Sequence, residues 1–323
     1  MKQKSVWSAA GLCAVALSAA AVAADGYPSR PVRVIVPFTA GSTTDIIARA
    51  VGDRLSANLG QNLIIDNRAG AGGTIGAGVV AKAEPDGYTL LLHSSSHTVN
   101  PAMYATLPYD TVRDFAGIMP LASLPNVLVI SPAKGLRSVK ELIAAAKSKP
   151  GSINYASAGA GSATHLNAEK FRFRAGFEGT HVPFKGSPDA LLDVMTGRVD
   201  FYFCPVAPAL PFIKEGKLLG LAVGSPKRSS VLPDVPTTAE AGVPGSEYNF
   251  WIGFLAPGKT PRAVVNRLYQ ETQKALATPE VKKRFADLGA DAMTMSPQEF
   301  DAYIKEEIAA NITLAKAAGL KAQ

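Results

Sequence analysis

The sequence predicts an α/β protein of two lobes. Two doubly wound, mainly parallel sheets are joined by crossover strands, with a ligand cleft between them. Three observations predict this. Short β-branched apolar runs alternate with amphipathic helical runs along nearly the whole chain, the pattern of parallel α/β sheets. At 323 residues the chain has the length of roughly two ordinary domains, and its strands and helices are too many for one small sheet. No Pro/Ser-rich linker divides it. Instead two apolar, proline-bearing segments, Gly117–Ile130 and Asn249–Pro257, interrupt the alternation. They read as crossings between lobes. Lobe 1 is then discontinuous, residues 24–123 and 250–323, and lobe 2 spans residues 124–249.

Residues 1–23 stand apart. Met1-Lys2-Gln3-Lys4 carries two positive charges and no acid. An Ala-rich run follows from Val6 to about Ala24, and Ala21-Val22-Ala23 supplies the small residues that a signal peptidase needs. This predicts a secretory signal peptide, cleaved near Ala23/Ala24, and export to the periplasm. The run is too alanine-rich for a good membrane anchor. Cleavage removes Cys13, Lys2 and Lys4. The +7 net charge becomes +5, and Cys204 is left as the single cysteine, so no intramolecular disulfide forms.

In the rest of the chain the first strand is Val32–Phe38, followed by a helix over Thr43–Leu59 with Ile46, Ile47, Ala50, Val51 and Leu55 at helical spacing. Next come a strand (Leu63–Asp66), a Gly-rich turn, a short helix (Ile75–Ala83) and a strand (Tyr88–His93). Further strands are expected at Phe115–Leu121, Val127–Ile130, Ile153–Ala156, His181–Phe184, Val199–Cys204 and Leu218–Val223. Helices are expected at Val139–Lys149, Ala163–Ala175, Ala190–Thr196, Arg262–Ala277 and Pro297–Ala318. No later apolar run reaches membrane-spanning length.

Ligands of open α/β sheets collect beyond the carboxyl ends of the strands. Three loops there carry polar chemistry. In Pro37–Asp45, Ser42 and Asp45 fit a capping box, and a helix start with exposed amides attracts a carboxylate or phosphate. Tyr155–His165 again runs strand, small-residue loop and helix start, with Ser162 as cap and His165 one turn in. His93–Asn100 is a polar loop rich in hydroxyls. Its His93 and His97 are four apart but not evidently on a helix, with no acidic third ligand, so metal binding is not expected.

Other chemistries lack their signatures. Gly70–Gly76 imitates a dinucleotide loop, but Ile75 stands where the third glycine belongs, and no P-loop occurs. There is no Gly-x-Ser-x-Gly elbow. Ser162 with His165, or Ser95 with His97, could be drawn as a Ser–His pair, which leaves a secreted hydrolase of a small ester as the alternative. The basic residues are scattered; Lys282-Lys283-Arg284 sits on a helix face, so no nucleic-acid partner is expected.

The chain resembles the tripartite tricarboxylate transporter substrate-binding proteins, the Bug or TctC-like extracytoplasmic solute receptors. The resemblance runs through Val36-Pro37-Phe38-Thr39-Ala40-Gly41, Asn67–Gly76, Pro85–Leu91, Leu107-Pro108-Tyr109-Asp110, Asn154–Ser157, Gly161-Ser162, His165-Leu166, His181–Gly186, Gly197–Asp200, Leu232–Thr237 and Ala239–Gly245. Ser42 departs from the family, which often has glycine there.

The resemblance implies a type II-like periplasmic-binding-protein fold and a receptor without catalysis or cofactor. Such a receptor would close on a small mono- or dicarboxylate and deliver it, as a monomer, to a tripartite tricarboxylate-type membrane permease. The expected ligand contacts are Phe38, Thr39, Gly41, Ser42, Thr43, Thr44, Ser94, Ser95, His97, Ser157, Gly159, Gly161, Ser162, His165 and Asp200. Backbone amides at Gly41–Thr44 and Gly159–Ser162 are expected to take the carboxylate.

Overall fold

The computed structural model describes residues 26–320 and residue 322; the expected signal peptide and Cys13 lie outside the described residues. Strand β1 (Val32–Val36) is buried except at Arg33, so its β-branched residues face apolar layers on both sides. Gly41 turns the chain at φ 80°, helix α1 (Thr43–Leu59) follows, and Gly60 ends it at φ 68°. β1 pairs in parallel with β2 (Leu63–Asn67) and β3 (Thr89–Ser94). β10 (Phe250–Pro257) lies antiparallel between β3 and β4 (Phe115–Leu124), and β11 (Asp291–Ala292) edges β4.

The second sheet has five strands. β6 (Asn154–Ser157) is parallel to β7 (Thr180–Pro183) and β8 (Phe201–Pro205). β5 (Asn126–Ile130) is antiparallel to β8 and to β9 (Leu219–Val223). The chain passes from β4 in one sheet to β5 in the other with only Pro125 between them.

Both sheets are therefore mixed, where a mainly parallel arrangement was expected. Parallel neighbours need a crossover, usually helical. The segments that pass between sheets have no such helix and enter antiparallel. The segment expected only as a crossing, Asn249–Pro257, is a central strand, with every residue of β10 buried and Trp251 fully so.

The predicted polar loop is corrected too. Only His93, Ser94 and Ser95 precede helix α3 (Ser96–Met103). Its Ser/His/Thr-rich start and Pro101 argue against helix locally. Packing decides otherwise: Val99 and Met103 are buried, and Asn311 on the C-terminal helix α10 (Pro297–Ala317) donates to Thr98 Oγ1 at 3.0 Å. Four more helices begin near the second sheet or pack on its edge: α4 (Val139–Ser148), α5 (Ala163–Ala175), α6 (Ser187–Met195) and α7 (Val206–Lys214). Pro208 and Pro211 hid α7 from the sequence reading; Pro208 falls in the first turn, where its missing N–H has no partner to lose.

Candidate functional site

A small cavity lies between the two sheets. Lobe 1 lines it with Phe38, Ser42, Thr43, Thr44, Ser94, Ser96 and Phe250, and lobe 2 with Ala158, Thr164, Ser187 and Pro205. About 20 Å³ is open to the centre of a water molecule, room for about one water. Five helices present their amino ends here. Thr43 and Thr44 open α1, Ser96 opens α3, Thr164 lies in the first turn of α5, Ser187 opens α6, and Pro205 caps α7. None of the lining residues is ionisable. Each helix amino end carries about half a positive charge and unsatisfied N–H groups. Their convergence in a cavity without ionisable side chains is an arrangement that favours an anion.

Two hydroxyls sharpen the point. Thr43 Oγ1 and Thr44 Oγ1 are buried and have no hydrogen-bond partner among the described residues. A buried, unpartnered polar group costs about 1–3 kcal/mol, a deficit that an anion's oxygens would remove. The loop before them is held open by Asp45. Its carboxylate accepts from the Gly41 amide at 3.0 Å, from Asn67 Nδ2 at 3.2 Å and from Arg49. Burial raises its pKa, but these bonds, with Arg49 foremost, hold the carboxyl below its ordinary range. The expected capping box does not form. Asp45 reaches Gly41 instead of Ser42, and Ser42 Oγ accepts from the Ser187 amide of lobe 2 at 3.1 Å.

The second loop is satisfied within itself. Ser162 Oγ caps α5 by accepting from the His165 amide at 3.2 Å, and Thr164 Oγ1 accepts from Ala158 N at 2.9 Å. The Gly159 amide goes to Ser157 Oγ, Gly161 to His165 Nδ1, and Ser162 to Gly159 O. The expectation that the Gly159–Ser162 amides stand free for a ligand is not met at Gly159, Gly161 or Ser162, whose amides are taken within the loop. Ser157 Oγ also meets His181 Nε2 at 2.6 Å.

Of the expected contacts, Phe38, Ser42, Thr43, Thr44 and Ser94 line the cavity. Thr39, Gly41, Ser95, Ser157, Gly159, Gly161 and Ser162 are not among the lining residues. His97 does not reach it; its ring packs edge-on against Phe115 at 4.8 Å, and burial lowers its pKa to about 4. His93 and His97 have ring centroids 5.4 Å apart, with no metal-binding group of three or more His, Cys, Asp or Glu among the described residues. His165 stacks on His181 at 3.7 Å, and burial lowers its pKa to about 4. Asp200 is displaced furthest. It lies at the amino end of β8, opposite Pro205, where it pairs with Lys134 Nζ at 2.6 Å and accepts from the Asn154 amide at 2.7 Å. These contacts tie the start of β8 to Lys134 and to the start of β6.

Sequence reasoning missed Ser96, Ala158, Thr164, Ser187, Pro205 and Phe250 in the lining. It also missed the surface on which the lobes meet. Asn100 Nδ2 donates to Gly161 O at 3.0 Å, Tyr104 Oη to Ala160 O at 2.8 Å, and the Ala163 amide to Ser96 Oγ at 2.9 Å. Glycines permit this approach. A Cβ on Gly72 would lie 2.1 Å from Ala160 O, and one on Gly186 would lie 2.0 Å from Thr39 Oγ1. The run Gly70–Gly76 was the available signal; it is a docking surface for the other lobe.

The fold is two α/β sheets with a cavity between them that offers helix amino ends and hydroxyls but no ionisable side chain. A Ser–His hydrolase finds no support: Ser162 Oγ is engaged with the His165 backbone amide and Thr164, and neither ring nitrogen of His97 has a hydrogen-bond partner. The family model of the tripartite tricarboxylate transporter family receptor, TctC, matches residues 47–320, and the chain belongs to that family. Protein BugT of Bordetella pertussis is 38% identical over 292 residues, 90% of each chain. An R. palustris protein solved with adipate is 36% identical with a TM-score of 0.89, covering 92% of this chain and 100% of that one. MatC from Rhodopseudomonas palustris, with bound malate, is 32% identical with a TM-score of 0.86, covering 89% of this chain and 99% of that one. The chain is a solute-binding receptor of the transport class and not an enzyme.

Proposed function

We propose that this chain captures a small organic acid, a mono- or dicarboxylate, by hinge closure and hands it to a tripartite tricarboxylate-type permease. One observation carries the reading: five helix amino ends converge on a cavity without ionisable side chains, where two threonine hydroxyls lack partners. Thr43 and Thr44 hold the carboxylate, aided by Ser42, Ser94 and Ser96, and Phe38 and Phe250 wall it. The cavity is smaller than any such acid, so the lobes part to admit it. Both lobes contribute lining, so a ligand completes its contacts only on closure, and that differential affinity drives the hinge. The hinge runs through residues 124–126 and 248–250, between lobes of residues 24–123 with 250–323 and 124–249. The chain is exported, cleaved near Ala23/Ala24, and acts as a monomer.

Thermal-shift screening of the purified mature protein against mono- and dicarboxylates tests this. A ligand at about a hundred times its Kd stabilises by about 2.7 kcal/mol, which a melting curve resolves. If no acid in the panel raises the melting temperature, the reading is wrong.

A further inference from the structure

A second cavity lies at the end of lobe 1 remote from the first, where β4 begins and β10 ends. Leu255 on β10 lines it, whereas Phe250 on the same strand lines the interlobe cavity. Five steps of strand set the two residues about 17 Å apart. About 210 Å³ is open to the centre of a water molecule, room for several waters or one small ion. Thr111, Arg113, Thr260, Arg262, Asp301 and Lys305 supply its polar side chains.

Two of these residues lack what folding normally supplies. Thr111 and Thr260 are only 7% and 5% exposed, and neither Oγ1 has a hydrogen-bond partner among the described residues. Buried hydroxyls are normally paired, because an unpaired one has given up water for nothing. Thr260 also stands just before helix α8 (Arg262–Leu276). No side chain caps this helix, its first turn holds no acid, and its first residue is Arg262. A cation at a helix amino end opposes the dipole. An anion that meets both the guanidinium and the free amides reverses that conflict.

The other charges agree. Arg113 is spent on Asp114 at 2.8 Å, whereas Arg262 and Lys305 enter no ion pair among the described residues. Asp301 is the one acid of the lining, and its Oδ1 accepts from the Gly117 amide at 2.7 Å. Burial pushes its carboxyl above the ordinary range, against that bond and the fields of Arg262 and Lys305. Two cations thus face one half-buried carboxylate, and the cavity keeps a positive excess. Water would pair the hydroxyls but leave both the excess and the opposed dipole.

We propose that this cavity is a second ligand site, separate from the interlobe cavity, for a small oxyanion. The oxygens of the anion accept from the Thr111 and Thr260 hydroxyls, from the first amides of α8, and from Arg262 and Lys305. Asp301 sets a like charge beside the anion and weakens the site.

The test is a titration of the isotope-labelled mature protein with inorganic phosphate at constant ionic strength, followed by amide NMR. Saturable shifts should appear at Thr111, Thr260, Arg262 and Ala263, with a Kd below about 10 mM. Arg262→Gln should weaken phosphate binding by at least about tenfold and Thr260→Val by at least about threefold, as lost hydrogen bonds to a charged group do. Asp301→Asn keeps an acceptor for Gly117 and removes the like charge, so it should tighten binding by about threefold or more. Arg262 is exposed, so Arg262→Gln should keep the parent's melting temperature and its affinity for organic acids. The second site is overturned by the absence of saturable shifts, by shifts confined to Thr43, Thr44 and Ser96, or by parental phosphate affinity in Arg262→Gln and Asp301→Asn. None of these outcomes touches the receptor reading, which rests on acids bound between the lobes.

Discussion

The loops before α1 and α5 look alike in sequence and do different work. Each runs from a parallel strand through small residues to a helix start with serine at the N-cap position, though only Ser162 caps its helix with a hydrogen bond. In the first, Asp45 takes the Gly41 amide, Ser42 turns to the other lobe, and two threonine hydroxyls are left bare in the cavity. In the second, Ser162, Thr164 and His165 consume the loop's own amides, and its carbonyls at Ala160 and Gly161 receive Tyr104 and Asn100. The first loop leaves hydroxyls without partners, and the second spends its amides within itself and its carbonyls on the other lobe. One small-residue motif yields either outcome, depending on which side chains reach back to the backbone.

The largest expected effect falls on stability in acid, and it reaches behind both loops. All four histidines have pKa values lowered by burial, to about 4 for His97 and His165 and to about 3 for His181. In the unfolded chain they bind protons near 6.5. Below that pH the unfolded state holds more protons, so stability falls as pH drops. It is undiminished by these groups above about pH 7, and each histidine subtracts up to about 1.4 kcal/mol per pH unit until its folded value is reached. Urea titrations from pH 7 to 4.5 should show a loss of several kcal/mol. A flat profile would mean the rings are not buried neutral.

Next is Gly186→Ala, which wedges the first loop from the second lobe. Its backbone is extended, so only the close contact with Thr39 and Ser42 is at stake. The affinity for any bound acid should fall by about a hundredfold, about 2.7 kcal/mol, with small-angle scattering showing a more open ligand-free protein. An affinity within threefold of the parent would remove the closure role.

Thr43→Val then separates the loops by function. A hydrogen bond to a charged group is worth about 1.5–3 kcal/mol, so affinity should fall by roughly 10- to 100-fold while the ligand-free melting temperature holds. Tyr104→Phe, which deletes the bond to Ala160 O, should weaken binding by about three- to tenfold, from about 0.5–1.5 kcal/mol, chiefly through faster release in stopped-flow traces. Ser162→Ala should do the reverse of Thr43→Val. Loss of a cap lowers stability by about 1 kcal/mol and should leave affinity within about threefold. If Ser162→Ala abolishes binding instead, the two loops do not divide the work as their hydrogen bonds indicate.

The sequence by itself determined the alternation of strands and helices, the two crossings and the ends of several elements. Helices at Thr43–Leu59 and Ala163–Ala175 are legible because glycines at 60 and 176 stop them and hydroxyl residues begin them. It also singled out Phe38, Ser42, Thr43, Thr44 and Ser94, which line the cavity between the sheets, because helix starts beyond strand ends are where such folds keep ligands. Tertiary structure alone decided the rest. Strand direction in the mixed sheets, the burial of β10, the helix from Ser96 to Met103 and the exile of Asp200 to Lys134 all depend on partners far along the chain. So does the fate of each loop amide, since a donor is free or spent according to which side chain folding brings within about 3 Å. Local pattern fixes what a residue can offer, and only packing fixes whether the offer is already taken.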